Sequence, residues 1–68
     1  MKTNETVVRR TIFGRYKLIK FVSAASDGDV RISYCISYEN IKIQYFKSYE
    51  KANAVYDLLT EDEEQEDV

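Results

Sequence analysis

The chain has 68 residues, a formal net charge of −2, one cysteine, and neither histidine nor proline. A single thiol excludes an internal disulfide, and the lack of histidine excludes both a Cys/His zinc site and a Ser-His or Cys-His nucleophile pair within these residues. The length allows one domain with a small core, because a chain of this size buries only about 60% of the surface that it exposes when unfolded.

The charge is distributed unevenly along the chain. Residues 1–22 carry six Lys or Arg against one Glu, whereas residues 48–68 carry one Lys against eight Asp or Glu. This asymmetry indicates a nucleic-acid or protein partner at one end, or contact between the acidic tail and its own domain. No apolar run approaches the ~20 residues of a membrane span, and no signal-peptide core follows Met1. The single thiol then predicts a cytoplasmic protein.

Residues 1–14 are predicted to be an N-terminal arm or an extra edge strand. Residues 6–13 (TVVRRTIF) are rich in β-formers, but their apolar side chains fall on both faces of a strand. Gly14 is the position at which a bulge or bend costs least.

Residues 15–23 (RYKLIKFVS) are predicted to form a strand whose two faces are almost equally apolar. Asp27 and Gly28 mark the following turn, because both residue types tolerate the positive φ angles of a type I′ turn.

Two registers are open for this hairpin. A two-residue turn pairs Phe21 with Tyr34 and extends the core face of the next hairpin, and we prefer it for that reason. A three-residue loop turns Leu18 and Val22 toward the core instead.

The next hairpin is the clearest feature of the sequence. Residues 30–38 alternate between apolar or aromatic and polar or small side chains, as a half-buried strand does, and residues 41–47 follow a two-residue turn at Glu39 and Asn40. This turn predicts three cross-strand pairs on one face, namely Tyr38 with Ile41, Ile36 with Ile43, and Tyr34 with Tyr45.

A helix is predicted over residues 49–59, with Ser48 as its N-cap. Five residues share one stripe at 3.6 residues per turn, namely Tyr49, Ala52, Val55, Tyr56 and Leu59. This stripe is expected to cover the apolar sheet face, because neither surface is stable in water alone. The last segment, residues 61–68 (EDEEQEDV), is predicted to be a disordered acidic tail, since it repels itself and has little to bury.

The predicted fold is therefore α+β: a small antiparallel meander of three, or with residues 1–14 four, strands, and one C-terminal helix packed on one face. The β-β-β-α domain spans residues 15–60.

The sheet face away from the helix is the candidate site. An ordinary solvated face and a real binding surface are about equally good interpretations of it. A homodimer is predicted, either through this face or by pairing of edge strands such as residues 6–13. The candidate partner-binding residues are Tyr16, Leu18, Lys20, Val22, Arg31, Lys42 and Phe46.

The sequence predicts a non-catalytic protein that needs no cofactor or metal. Cys35 lies in mid-strand and is interpreted as a structural residue rather than a reactive thiol. The leading hypothesis is a small protein-binding module, a regulator or inhibitor of a host enzyme of the kind encoded by phages and mobile elements. The alternative is a protein that binds single-stranded nucleic acid on the open sheet. An enzyme is a distant third.

Overall fold

The computed structural model describes residues 2–66, which form one antiparallel sheet with a helix packed against it. The elements are β1 (Lys2–Thr11), β2 (Tyr16–Ala24), β3 (Val30–Tyr38), β4 (Ile41–Phe46), α1 (Tyr49–Leu59) and β5 (Gln65–Glu66). The strand order is β4-β3-β2-β1-β5. The predicted α+β meander with one C-terminal helix is therefore confirmed, and its sheet has five strands.

Strand β1 shows why residues 6–13 alternate poorly. It pairs with β2 from Lys2 opposite Ala24 to Arg10 opposite Lys17, and its register shifts between Val7 and Arg9. Such a bulge reverses the alternation of side chains beyond it. Of the two predicted forms of this segment, the structure has the extra strand, which lies between β2 and β5.

The preferred register of the β2–β3 hairpin was wrong, and the three-residue loop is the one that forms. The amide of Ala25 donates to the carbonyl of Asp29 at 2.8 Å, and the amide of Gly28 donates back to Ala25 at 3.0 Å. Gly28 has a φ of +86°, as in a type I turn that ends in a left-handed residue. Phe21 consequently lies opposite Ser33 instead of Tyr34.

The turn of the β3–β4 hairpin is as predicted, but the register beyond it is not. Glu39 and Asn40 have φ angles of 51° and 69°, and Tyr38 lies opposite Ile41. The register then shifts, so that Ile36 faces Gln44 and Tyr34 faces Phe46. Ile43 is the extra residue of this bulge, and the predicted pairs of Ile36 with Ile43 and Tyr34 with Tyr45 do not form.

Helix α1 begins and ends where the sequence predicts. The hydroxyl of Ser48 accepts from the amide of Lys51 at 3.5 Å, which satisfies one of the free N–H groups of the first turn. The core lies between α1 and the middle of the sheet, and its fully buried residues are Leu18, Ile36, Ala52 and Tyr56. No helix within residues 2–66 combines the length and the apolar character that crossing a bilayer requires.

The acidic tail differs from its prediction as far as residue 66. The carbonyl of Glu64 accepts from the amide of Ile12 at 2.8 Å, and the next two residues form β5 beside the end of β1. Arg10 and Arg15 form ion pairs with Glu66 and Glu63, at 3.2 and 3.5 Å. Cations from the basic half of the chain thus offset the repulsion on which the prediction of disorder relied. Residues 67 and 68 of the predicted tail lie outside the described residues.

Candidate protein-binding face

The sheet face opposite α1, here called the open face, is defined by the register. Since Leu18 and Ile36 pack against the helix, the neighbouring side chains on each strand point the other way. On β2 and β3 the open-face residues are Lys17, Ile19, Phe21, Ser23, Arg31, Ser33, Cys35 and Ser37. On the flanking strands they are Thr3, Glu5, Val7, Arg10, Lys42 and Tyr45.

The structure divides the seven predicted site residues between the two faces. Arg31 and Lys42 lie on the open face. The other five lie on the helix side, namely Tyr16, Leu18, Lys20, Val22 and Phe46. A one-residue difference in the β2–β3 loop turns every side chain of a strand to the other face, and the bulge at Ile43 does the same to Phe46. Leu18 is a fully buried core residue.

The predicted residue Lys42 forms the centre of the open face together with three residues that the prediction placed elsewhere or did not consider. The ring centroids of Phe21 and Tyr45 are 6.3 Å apart, and the ammonium nitrogen of Lys42 lies 5.1 Å from the centre of the Phe21 ring. Lys42 Nζ also donates to Glu5 Oε1 at 3.1 Å. We call Glu5, Phe21, Lys42 and Tyr45 the open-face cluster. It joins β1, β2 and β4, and Tyr45 remains 63% exposed.

The electrostatics of the cluster depend on its central ion pair. The hydrogen bond from Lys42 to Glu5, together with the charge of that carboxylate, raises the pKa of Lys42 above its usual value. The same hydrogen bond keeps the Lys42 ammonium group close to the Phe21 ring.

Cys35 lies beneath this surface and is fully buried. Burial raises the pKa of its thiol, although the positive charge of Lys42 opposes the effect. The protonated thiol is a poor nucleophile. This residue therefore fills space under the open face.

The margins of the open face are basic. Arg31 and Lys47 are exposed and have no carboxylate within ion-pair distance among residues 2–66. Lys17 donates to the side-chain carbonyl of Asn40 at 3.1 Å. Among the strand residues that the structure describes, Glu5 and Glu66 are the acidic ones on this face, and both form ion pairs with basic residues of the same face, Lys42 and Arg10.

A groove of about 710 Å³ opens at the end of the sheet that is distant from the β3–β4 turn. Its walls are Ser23, Ala25, Arg31, Ile32, Ser33 and Lys47. The groove lies where β4 has ended but β3 continues, because β4 pairs with β3 only from Tyr34 to Tyr38.

Neither the groove nor the open-face cluster resembles a metal centre. Within the described residues, no three Cys, Asp or Glu side chains are grouped closely enough to hold a metal ion.

Comparison with protein-family models, with curated proteins and with solved structures finds no match to this chain.

Proposed function

We propose that this domain is a non-catalytic protein-binding module that contacts its partner through the open face. One observation carries the proposal: Tyr45 is 63% exposed in a cluster whose other members hold one another in place. Aromatic side chains held in this way lose little conformational entropy on binding, and Tyr and Arg are enriched among the residues that dominate interface energies.

The architecture supports the same function. Helix α1 covers one side of the sheet, and nothing among residues 2–66 packs over the other side. The cluster supplies an aromatic centre, and Arg31, Lys47 and Lys17 supply a polar rim. An aromatic centre within a polar rim is the usual composition of a protein interface.

Binding of single-stranded nucleic acid is the second candidate, because basic side chains surround Phe21 and Tyr45. Two features weigh against it. Lys42 already occupies one face of the Phe21 ring, where a base would stack. The carboxylate of Glu5 also lies at the centre of the surface and repels phosphate.

The wider role is proposed from composition alone. A small acidic module without catalytic groups suits a regulator or inhibitor of a host enzyme, in a phage or a mobile element, and its single thiol suits the cytoplasm.

A matched pair of variants tests the proposal. The immobilised wild-type domain is expected to retain a protein from a lysate of the organism that encodes it. Tyr45→Ser is expected to abolish this retention, whereas Leu58→Ser, at a 68% exposed position of α1, is expected to preserve it. Oligo(dT) binding is measured in parallel over a range of salt concentrations.

Two results would overturn the proposal. One is a captured protein that both variants retain equally. The other is tight, salt-dependent binding of oligo(dT) with no protein retained, which would establish the nucleic-acid alternative instead.

A further inference from the structure

The outer edge of β3 is open over residues 30–33. Hydrogen bonds from Ala25 to Asp29 and from Glu39 to Arg15, at 2.8 and 2.7 Å, mark the two ends of the β2–β3 ladder. Antiparallel strands alternate strictly between bonded and non-bonded pairs, so the odd-numbered residues of β3 bond to β2. The N–H and C=O groups of Val30 and Ile32 therefore point outward, away from the sheet.

Nothing among residues 2–66 pairs with these outward groups. Strand β4 ends at Phe46, and the chain then turns at Ser48 into α1. An 11-residue helix is about 16 Å long, whereas a nine-residue strand is about 30 Å long, so α1 covers only half of the sheet. The groove of about 710 Å³ lies next to this edge, and Arg31, Ile32 and Lys47 are among its lining residues.

The two sides of this edge differ in chemistry. On the open face, Arg31 and Lys47 line the groove, and no acidic residue of the described chain does. On the helix side, Val30 and Ile32 are 58% and 46% exposed. An occupant that satisfies both sides has to present negative charge to one face and apolar side chains to the other.

We propose that this edge accepts an extended acidic segment of the protein partner as an added strand, in line with β4. The proposal rests on the protein-binding function and names the part of the partner that is recognised. Acidic residues of the segment lie beside Arg31 and Lys47, and alternate apolar residues lie beside Val30 and Ile32. Main-chain hydrogen bonds supply affinity in this mode of recognition, and the alternate side chains supply specificity.

The other strand edges are less suited to pairing. The register shift at Ile43 distorts the outer edge of β4, and bulges of this kind protect edges from pairing. Strand β5 covers the outer edge of β1 only at Arg10 and Thr11, but the uncovered part of that edge carries Glu5, whose negative charge does not suit an acidic segment.

The proposal is tested with an eight-residue peptide that alternates Glu and Val, added to the full chain and followed by amide NMR shifts. The largest shifts are expected at residues 30–33. Arg31→Glu and Lys47→Glu are each expected to weaken binding at least tenfold. Lys51→Glu, a matched reversal of an exposed lysine on α1, is expected to leave the affinity unchanged.

A backbone substitution separates strand addition from simple charge attraction. Ile32→Pro removes the outward N–H while leaving the β2–β3 ladder intact, as proline is tolerated where a strand N–H faces solvent. It is expected to abolish peptide binding with an unchanged circular dichroism spectrum, whereas Ile32→Val, which keeps the N–H, is expected to bind normally. If Ile32→Pro unfolds the chain, Val30→Pro, at the first residue of β3, replaces it.

Three results would overturn strand addition. They are normal binding by the folded proline variant, equal binding of a peptide that alternates Lys and Val, and displacement of the Glu-Val peptide by equal concentrations of inorganic phosphate or oligo(dT). If the peptide fails to bind while Tyr45→Ser still abolishes capture of a protein, the edge proposal is wrong and the proposed function stands.

Discussion

The guanidinium of Arg9 lies 2.6 Å from the carboxylate of Asp57, so the first strand is tied directly to the last turn of the helix. The same guanidinium group donates to the side-chain oxygen of Asn53 at 2.7 Å and lies 4.6 Å from the centre of the Tyr56 ring. Arg9 reaches the helix because the bulge after Val7 turns it to that side of the sheet. The bulge thus allows Arg9 to connect the sheet with the helix.

Arg9→Met is expected to lower the free energy of unfolding by about 1–2 kcal/mol, because two hydrogen bonds and a cation–π contact are lost from a partly exposed site. Urea unfolding measures the change. The matched control is Arg15→Met, because Arg15 is more exposed than Arg9 and its ion pair with Glu63 is longer. We expect less than about 0.5 kcal/mol there. Equal losses at the two positions would show that the contact of Arg9 with the helix contributes nothing beyond an ordinary surface pair.

The folded acidic segment leads to a second prediction. A chain that ends at Thr60 is expected to fold, yet to lose about 1–2 kcal/mol of stability, because the main-chain bond to Ile12 and the bond from Tyr56 to Gln65 both disappear. Thermal and urea unfolding measure this loss. Glu61→Ser with Asp62→Ser is the control, since both residues are exposed. An unchanged unfolding midpoint in the truncated chain would show that residues 61–66 do not dock in solution.

The sequence predicts the hairpins and the helix well because local chemistry determines them. Glu39 and Asn40 take positive φ angles in a two-residue turn, and Ser48 caps the helix, as their residue types indicate. The two bulges have no comparable signal. Whether a strand contains a bulge depends on how well the side chains of the neighbouring strands pack against it. This packing is a property of the whole sheet and not of the bulged segment alone.

The candidate site was harder to predict than the fold, for the same reason. The faces of β2 depend on whether the loop at Gly28 has two or three residues, and Asp27 with Gly28 is compatible with both. Arg31 and Lys42 are nevertheless placed on the open face as predicted. The importance of Phe21 and Tyr45 follows only from the observed registers.

Two buried groups predict how stability depends on pH. Burial raises the pKa of the Cys35 thiol and of the Tyr56 hydroxyl above their ordinary values of 9.0 and 10.0. Each group loses its proton more readily in the unfolded chain, so the folded state binds more protons in alkaline solution and its stability falls as the pH rises. The free energy of unfolding is therefore expected to be level near neutral pH and to decline above about pH 9.

Substitutions of Cys35 and Tyr56 show which group causes the loss of stability at alkaline pH. Cys35→Ala and Tyr56→Phe remove one titrating group each, and each is expected to reduce the slope of stability against pH, whatever it does to stability at pH 7. Urea unfolding at intervals from pH 7 to pH 11 supplies the slopes. A slope that is unchanged in the double variant would mean that other groups cause the decline, Lys42 with its raised pKa being the next to examine.

The last prediction is self-association through the open face. Because the structure places different residues on this face than the sequence predicted, different substitutions are needed to test it. The core is small, and the open face exposes Tyr45 beside the half-buried Phe21 and Ile19. Burying this patch against a second copy adds apolar contact that the domain alone does not have, as twofold dimers of small proteins do. The open-face cluster can tolerate such an interface, because Lys42 and Glu5 neutralise each other at its centre.

We therefore expect a weak homodimer through the open face, visible by sedimentation equilibrium at high protein concentration. Higher salt is expected to strengthen it, because salt screens repulsion among Arg31, Lys47 and their copies. Tyr45→Lys is expected to abolish the dimer without unfolding the chain, whereas a charge at the buried Leu18 would destroy the fold and test nothing. If the wild type stays monomeric at every concentration, the dimer prediction is wrong and the open face is available to a different protein. A dimer that survives Tyr45→Lys would place the interface on a strand edge or on α1.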